Sequence, residues 1–399
     1  MSRAEFIALI AMMFATIAFS LDSMLPALPE IGAELSPNAP NRAGLILTFF
    51  VLGLGLGTFF TGPLSDAYGR KPVIAAGAAV YIVASAIAWA SSSLEVVLAA
   101  RVVQGIGAAA PRIVSLAVMR DLYAGRDMAR MISIAMMIFT IFPAFAPLMG
   151  AGIISFAGWR GIFIAFILFA LITVLWMNQR LAESLPVENR RPIRWPLMRD
   201  AVGEMLAHPA VRLSILVQSL CMGILFTTLT LVQPIYDQIF DRAASFPYWF
   251  GGVALVSASA SILNAAIVGR LGMRRIVTWS LGAQIVVSAA MLVFCMVLPM
   301  GTGLFALFVL WQTTLFFMAG TTIGNLNAVA MEPMGHIAGM AASVIGAIAT
   351  VLAACLASPV ALLFDGSMAP MALAVGAMAL AGFAMMVHMG RVEARLAAE

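Results

Sequence analysis

Three charged residues lie where the surrounding sequence offers them no water: Asp22, Arg101 and Arg112 each sit inside a long apolar run. A carboxylate in such surroundings is costly unless it pairs, faces water or takes up a proton. A group of this kind can be charged in one state and neutral in another, which is the chemistry of a proton carrier. The plainer alternative is that Asp22 only neutralises an arginine. Of the 18 acidic residues, Asp22 alone has apolar sequence on both sides within a span, and Arg101, at a matching depth, is its expected partner. Arg112 follows eleven residues later. Eleven steps of about 100° close three turns to within about 20°, so Arg101, Gln104, Ala108 and Arg112 share one helical face. Arg112 either joins solute or proton binding on that face, or snorkels to the nearer surface and satisfies backbone carbonyls.

The elements that position these groups follow from composition. With 63% hydrophobic and 10% charged residues and a mean hydropathy of +1.03, the chain has lipid for its solvent. The net charge of +4 does not indicate nucleic acid, because the basic residues recur between apolar runs rather than clustering on one polar face. Cys221, Cys295 and Cys355 all fall in apolar stretches, where a thiol packs as a small hydrophobe. The first apolar run begins almost at Met1 and outlasts a cleavable signal, so it is expected to be a span. Apolar runs bounded by charges, Pro and Gly predict twelve transmembrane helices, near 5–29, 43–65, 72–91, 94–121, 128–155, 159–179, 210–236, 247–269, 276–299, 303–328, 336–363 and 368–390.

An even number of spans puts both termini on one side. All Lys and Arg except Arg42, Arg101, Arg112, Arg160 and Arg242 lie at or beyond the face the termini share, so both termini are expected in the cytoplasm. The turn Gly62-Pro63-Leu64-Ser65-Asp66-Ala67-Tyr68-Gly69-Arg70-Lys71-Pro72 opens a helical hairpin toward that same side. The longest polar stretch follows the sixth span. The chain therefore divides into an N-terminal six-helix bundle over 1–180, a cytoplasmic linker over 181–209 and a C-terminal six-helix bundle over 210–399. An echo of the turn, Gly269-Arg270-Leu271-Gly272-Met273-Arg274, lies 203 residues after Asp66-Ala67-Tyr68-Gly69-Arg70-Lys71, with Asp66 replaced by Gly269. The fold class is thus an all-α membrane protein with two bundles in parallel pseudo-repeat, as in one class of secondary transporter.

These pieces resemble a known family. Gly62, Asp66, Gly69, Arg70 and Lys71 occupy all five positions of the main signature of the major facilitator superfamily. Asp22-Ser23-Met24-Leu25-Pro26 looks like the end of the first helix in its drug:proton antiporters. Arg101-Val102-Val103-Gln104-Gly105-Ile106-Gly107 resembles their fourth-helix motif, whose arginine is implicated in proton transfer. Arg120-Asp121-Leu122-Tyr123 and Gly158-Trp159-Arg160-Gly161 are similar to the bicyclomycin-resistance and chloramphenicol-efflux (Bcr/CflA) branch. The fifth-helix antiporter motif keeps Pro147 and Gly150 but carries Ala146 and Ala151 where the family has glycines. The resemblance implies that the turn acts as a gating latch; on physical grounds Arg70 is expected to pair with Asp121, and Asp66 to face the positive end of the eleventh span near His336.

Met136, Phe139, Phe142, Gln233, Trp311 and Asn325 are candidate substrate-pocket residues, since thioethers, aromatic faces and embedded amides suit varied amphipathic solutes. The same residue types also serve helix packing. His208, His336 and His388 lie at or near helix ends, and Lys71 is the one lysine, so neither an intramembrane Ser-His centre nor a phosphate-binding loop is available. The chain is expected to be no enzyme. It is expected to need no cofactor or metal beyond a proton gradient, and to work as a monomer in the bacterial inner membrane. The resulting expectation is a proton-coupled multidrug exporter. A solute importer or symporter and a lipid or metabolite exporter on the same fold are the alternatives.

Overall fold

The computed structural model describes residues 1–193 and 195–396, apart from the side chains of 126, 129, 138, 139, 195, 197, 198, 338 and 392–396. Among the described residues every regular element is helical. Thirteen α-helices are α1 (Arg3–Asp22), α2 (Leu28–Leu35), α3 (Leu45–Tyr68), α4 (Arg70–Ala90), α5 (Leu94–Leu122), α6 (Gly125–Arg180), α7 (Trp195–Ala207), α8 (Pro209–Pro234), α9 (Phe246–Leu271), α10 (Met273–Val297), α11 (Thr302–Met331), α12 (Ala338–Leu362) and α13 (Ala369–Leu396). Among the described residues eleven spans are long and apolar enough to cross a membrane, and α6 breaks at Gly158 (φ 63°) into two limbs that supply the fifth and sixth crossings.

The structure differs from the sequence reading in two places. The first span is not one helix over 5–29. Pro26 lacks an amide hydrogen and its ring would meet the carbonyl of the residue four back, so α1 stops at Asp22. A 3-10 turn over Leu25–Ala27 and the short α2 follow. Asp22 is therefore the last residue of a broken helix rather than the interior of a continuous one. The stretch over 181–209 is not all loop, because α7 forms in it. Arg194, assigned to that stretch, lies outside the described residues.

Contacts divide the chain into two compact units, Met1–Trp195 and Pro196–Glu399. In the first unit α5 packs on α3 and α4, α1 packs on α6, and α4 also meets α6. In the second, α11 packs on α9 and α10, α8 packs on α12 and α13, and α10 meets α13. Each unit thus repeats one packing scheme. A stripe of small residues permits the closest approach in the first. A Cβ at Gly105 would run into the Phe50 carbonyl on α3, and one at Gly107 would lie 2.5 Å from the Gly77 carbonyl on α4. At the other side of the bundle, a Cβ at Gly150 would run into the Ser23 carbonyl just past α1. On the loop side, Glu34 of α2 accepts from Trp159 Nε1 and Arg160 Nη1, both at 2.7 Å, and Arg160 Nη2 reaches the Ser91 carbonyl at 3.0 Å. That clasp ties α2, the end of α4 and the break in α6 together.

Gly105→Ala should therefore cost about 1–3 kcal/mol through overpacking, read as a lower melting midpoint in detergent. Gly152→Ala, which has no atom within 4 Å of the new methyl, should leave the midpoint unchanged or raise it.

Candidate functional site

The first unit contains a fully buried cation. Arg101, on α5, is 0% exposed. Its Nε donates to the Ile46 carbonyl at 3.1 Å, its Nη2 to the Ser20 carbonyl at 2.8 Å, and its Nη1 to Gln104 Oε1. The guanidinium lies 4.4 Å from the centre of the Phe50 ring and 5.9 Å from that of Phe166. Gln104 in turn donates to Ser85 Oγ at 2.6 Å, and the Tyr81 and Ser20 hydroxyls are 2.6 Å apart. One hydrogen-bonded network thereby joins α1, α4 and α5 to the chain entering α3, where Ile46 opens the helix. A buried charge is tolerable only when its hydrogens are satisfied and its field is spread over dipoles, and here carbonyls, an amide and two ring faces do this.

The expected Asp22–Arg101 ion pair is absent from this structure. The guanidinium is taken up by carbonyl and amide oxygens, one of them in the last turn of α1, where the uncapped carbonyls carry the negative end of the helix dipole. Asp22 itself is buried at 5% exposure and has no ion pair among the described residues. Arg112 is partly buried, while Arg101, Gln104 and Ala108 of the same helical face are fully so. Among the described residues Arg112 has no ion pair or hydrogen bond. Ser20, Tyr81, Ser85, Phe50 and Phe166 were missed by the sequence reading. The i,i+4 pair Tyr81 and Ser85 on a span opposite Gln104 was a legible signal, whereas a backbone carbonyl such as that of Ile46 leaves none.

At the other end of the same unit the turn between α3 and α4 is held by charge. Arg70, 7% exposed, bonds Asp66 Oδ1 at 2.5 Å, Asp121 Oδ2 at 2.9 Å and Ser65 Oγ at 2.8 Å. The Arg70–Asp121 pair is thus formed, and Ser184 also donates to Asp121 at 2.9 Å. Lys71 Nζ reaches the Asn178 carbonyl at 3.2 Å. Glu183, a residue not singled out in the sequence, places its carboxylate on the first amides of α4: Arg70 N at 2.9 Å and Lys71 N at 3.0 Å. An anion there meets the positive end of the helix. Gly69 adopts φ 101°, a left-handed conformation that a side chain would strain, and a Cβ would also stand 2.9 Å from Glu183 Oε2. Gly62 lies about two turns before Gly69, in α3, and is partly buried.

The second unit repeats the backbone of that turn, with Gly269 in the place of Asp66. Gly272 has φ 80°, and its amide donates to the Val268 carbonyl at 2.9 Å, as Gly69 does to Ser65 at 3.1 Å. No atom would lie within 4 Å of a Cβ at Gly272. An exposed pair, Arg274 Nη2 to Glu332 Oε2 at 3.2 Å, bridges the start of α10 to the end of α11.

The pocket candidates are divided between the two units. In the first unit Met136 packs against the apolar cluster of Phe6, Leu9, Met13 and Val118, and Phe142 meets Phe19 edge-on at 6.2 Å. The side chain of Phe139 lies outside the described residues. Pro147 and Gly150 are buried on the limb of α6 that passes Ser23. In the second unit Trp311 donates to Ser288 at 3.1 Å, and Asn325 pairs with Asn264 at 2.7 Å. Gln233 is 2% exposed with its Oε1 unpaired. Gln312, next to Trp311, accepts from the Tyr236 hydroxyl at 3.0 Å and leaves its Nε2 unpaired.

Two units of one packing scheme, each with six crossings among the described residues and a glycine turn between its second and third, have the architecture of a multi-pass secondary transporter. The family model of the Major Facilitator Superfamily matches residues 8–358, and the chain belongs to that family. It is similar to a bicyclomycin resistance protein homolog of Haemophilus influenzae, 28% identical over 362 residues that cover 90% of this chain and 89% of the other. A chloramphenicol resistance protein of Pseudomonas aeruginosa is 29% identical, covering 81% and 74% of the two chains. Among solved structures, a D-xylose-proton symporter superposes with a TM-score of 0.72 at 14% identity, covering 96% and 97%, and shares the fold. As a transporter of this family the chain is not an enzyme.

Arg101→Lys should be strongly destabilising, because an ammonium cannot reach three divergent oxygens or lie flat on Phe50. Each buried acceptor left unpaired costs about 1–3 kcal/mol, and the loss is measurable as a lower melting midpoint. Glu183→Gln, which keeps shape and removes charge, should lower stability by about 0.3–1 kcal/mol in the same assay.

Proposed function

We propose that the chain is a proton-coupled exporter of small amphipathic drug-like compounds that works by alternating access. The observation that carries this reading is Asp22: a carboxyl group buried at the end of a broken span, without a counter-ion among the described residues. Holding charge there is costly, so the group gains or loses a proton as its access to water changes. Next to it, Gly150 brings the fifth crossing into contact with Ser23, so movement of that crossing is felt at Asp22. The names of two relatives, a bicyclomycin resistance protein homolog and a chloramphenicol resistance protein, support drug-like compounds as the cargo. Arg101 acts as the fixed positive neighbour that orders the site, and Arg112 is the free cation available to a solute on the same helix.

The Arg70 cluster is the gating latch of this reading. Its charged bonds hold the α3–α4 turn, and breaking them shifts the balance of conformations without removing the binding site. The proton gradient is the energy source, with no cofactor. The excess of Lys and Arg on one side supports termini in the cytoplasm and a place in the bacterial inner membrane. We take the working form to be a monomer.

Proteoliposomes with an imposed pH gradient test this directly. Wild type should move a chloramphenicol-like compound against the direction of proton flow, and Asp22→Asn should lose that movement by at least about tenfold. Undiminished transport by Asp22→Asn would remove Asp22 as the proton carrier. Compound and protons moving in one direction would make the chain a symporter.

A further inference from the structure

A cavity of about 140 Å³ opens in the first unit, away from Asp22 and Arg101, between the start of α1, the end of α5 and the first turns of α6. It is lined by Arg3, Ile7, Tyr123, Asp127, Arg130 and the apolar pair Met131 and Ile134. Its polar rim is unbalanced. Arg3 Nη2 is paired with Asp127 Oδ2 at 3.3 Å, which leaves Arg130 as the surplus cation. Arg130 is exposed and has no ion pair among the described residues. The floor is apolar and fixed: Met131 belongs to the buried cluster with Phe6, Leu9 and Ile10, and the Tyr123 ring stands 5.2 Å from that of Phe6. The cavity thus lies where the apolar part of α1 begins, and its lining joins two arginines and Tyr123 to apolar side chains. A phospholipid pairs the same two characters, a charged phosphate and acyl chains.

We propose that this cavity binds the phosphodiester headgroup of an anionic lipid. Arg130 and Arg3 are the phosphate-binding groups, the guanidinium fork being suited to two phosphate oxygens. Tyr123 donates its hydroxyl to the same headgroup, and Ile7 and Ile134 receive the first carbons of an acyl chain. Asp127 holds Arg3 in place and, as an anion, discriminates against a second phosphate. Phosphatidylcholine presents the same phosphate but adds a quaternary ammonium that the surplus charge of Arg130 repels, so the site selects phosphatidylglycerol over phosphatidylcholine. Because α1, α5 and α6 meet here, a bound lipid clamps three helices whose other parts carry Ser20, Arg101 and Gly150.

The test is native mass spectrometry of the full chain in detergent, with phosphatidylglycerol, phosphatidylcholine or inorganic phosphate added in turn. Wild type should retain one phosphatidylglycerol in preference to phosphatidylcholine. Arg130→Gln should weaken that retention about fivefold, the effect of one basic group at a membrane surface. Arg130→Lys should keep most of it, and Arg199→Gln, which removes an exposed arginine elsewhere, should behave as wild type. If Arg130→Gln does not fold, judged by its melting midpoint, Arg3→Gln carries the same comparison. Equal retention by wild type and the glutamine variants would overturn the proposal. So would equal retention of phosphatidylcholine, or displacement of the lipid by millimolar inorganic phosphate, which would make the cavity a site for a free anion.

Discussion

The guanidinium of Arg101, enclosed by two carbonyls, an amide oxygen and two aromatic rings, constrains everything packed around it. A cation buried without an acid partner has to be paid for by dipoles held at fixed distances. The helices that supply those dipoles therefore have little freedom to slide. Ser20 and Tyr81 lock α1 to α4, Gln104 and Ser85 lock α5 to α4, and Ile46 fixes the start of α3. The glycines at 105 and 107 bring α5 close enough to both neighbours for these bonds to form. Helix packing in lipid gains no hydrophobic drive, so close contact and internal hydrogen bonds carry the association.

This arrangement separates two roles that a carboxylate–arginine pair would have merged. Had Asp22 neutralised Arg101, neither would be free to respond to a change in surroundings. With Arg101 satisfied by neutral groups, Asp22 is left without an ion pair among the described residues, at the point where α1 breaks ahead of Pro26. The charged turn at the opposite end of the unit is built on the other principle: Arg70 is shared between two carboxylates and a hydroxyl, so its bonds can be exchanged singly.

Much of the architecture was legible because a bilayer demands long apolar helices. Span edges follow charge and proline, so most predicted ends fall within a few residues of the helices found. The break after Asp22 was also written in Pro26, but a hydropathy run conceals it, since the residues on both sides remain apolar. The Arg70–Asp121 pair was legible through residue types and spacing. The partners of Arg101 were not, because two are backbone carbonyls, which every residue possesses. Glu183 was equally hidden: it caps α4 from more than a hundred residues away, and only the folded chain brings that carboxylate to that helix end.

The two glycine turns differ in what surrounds them rather than in their backbones. Gly69 and Gly272 take up the same left-handed conformation at the head of the third crossing of their units, one beneath a carboxylate and the other with open space. The conformation that lets one helix end and the next begin within a single residue is thus common to both units, while the side chains set around it differ: a carboxylate on the first amides of α4 at one turn, an exposed Arg274–Glu332 pair at the other.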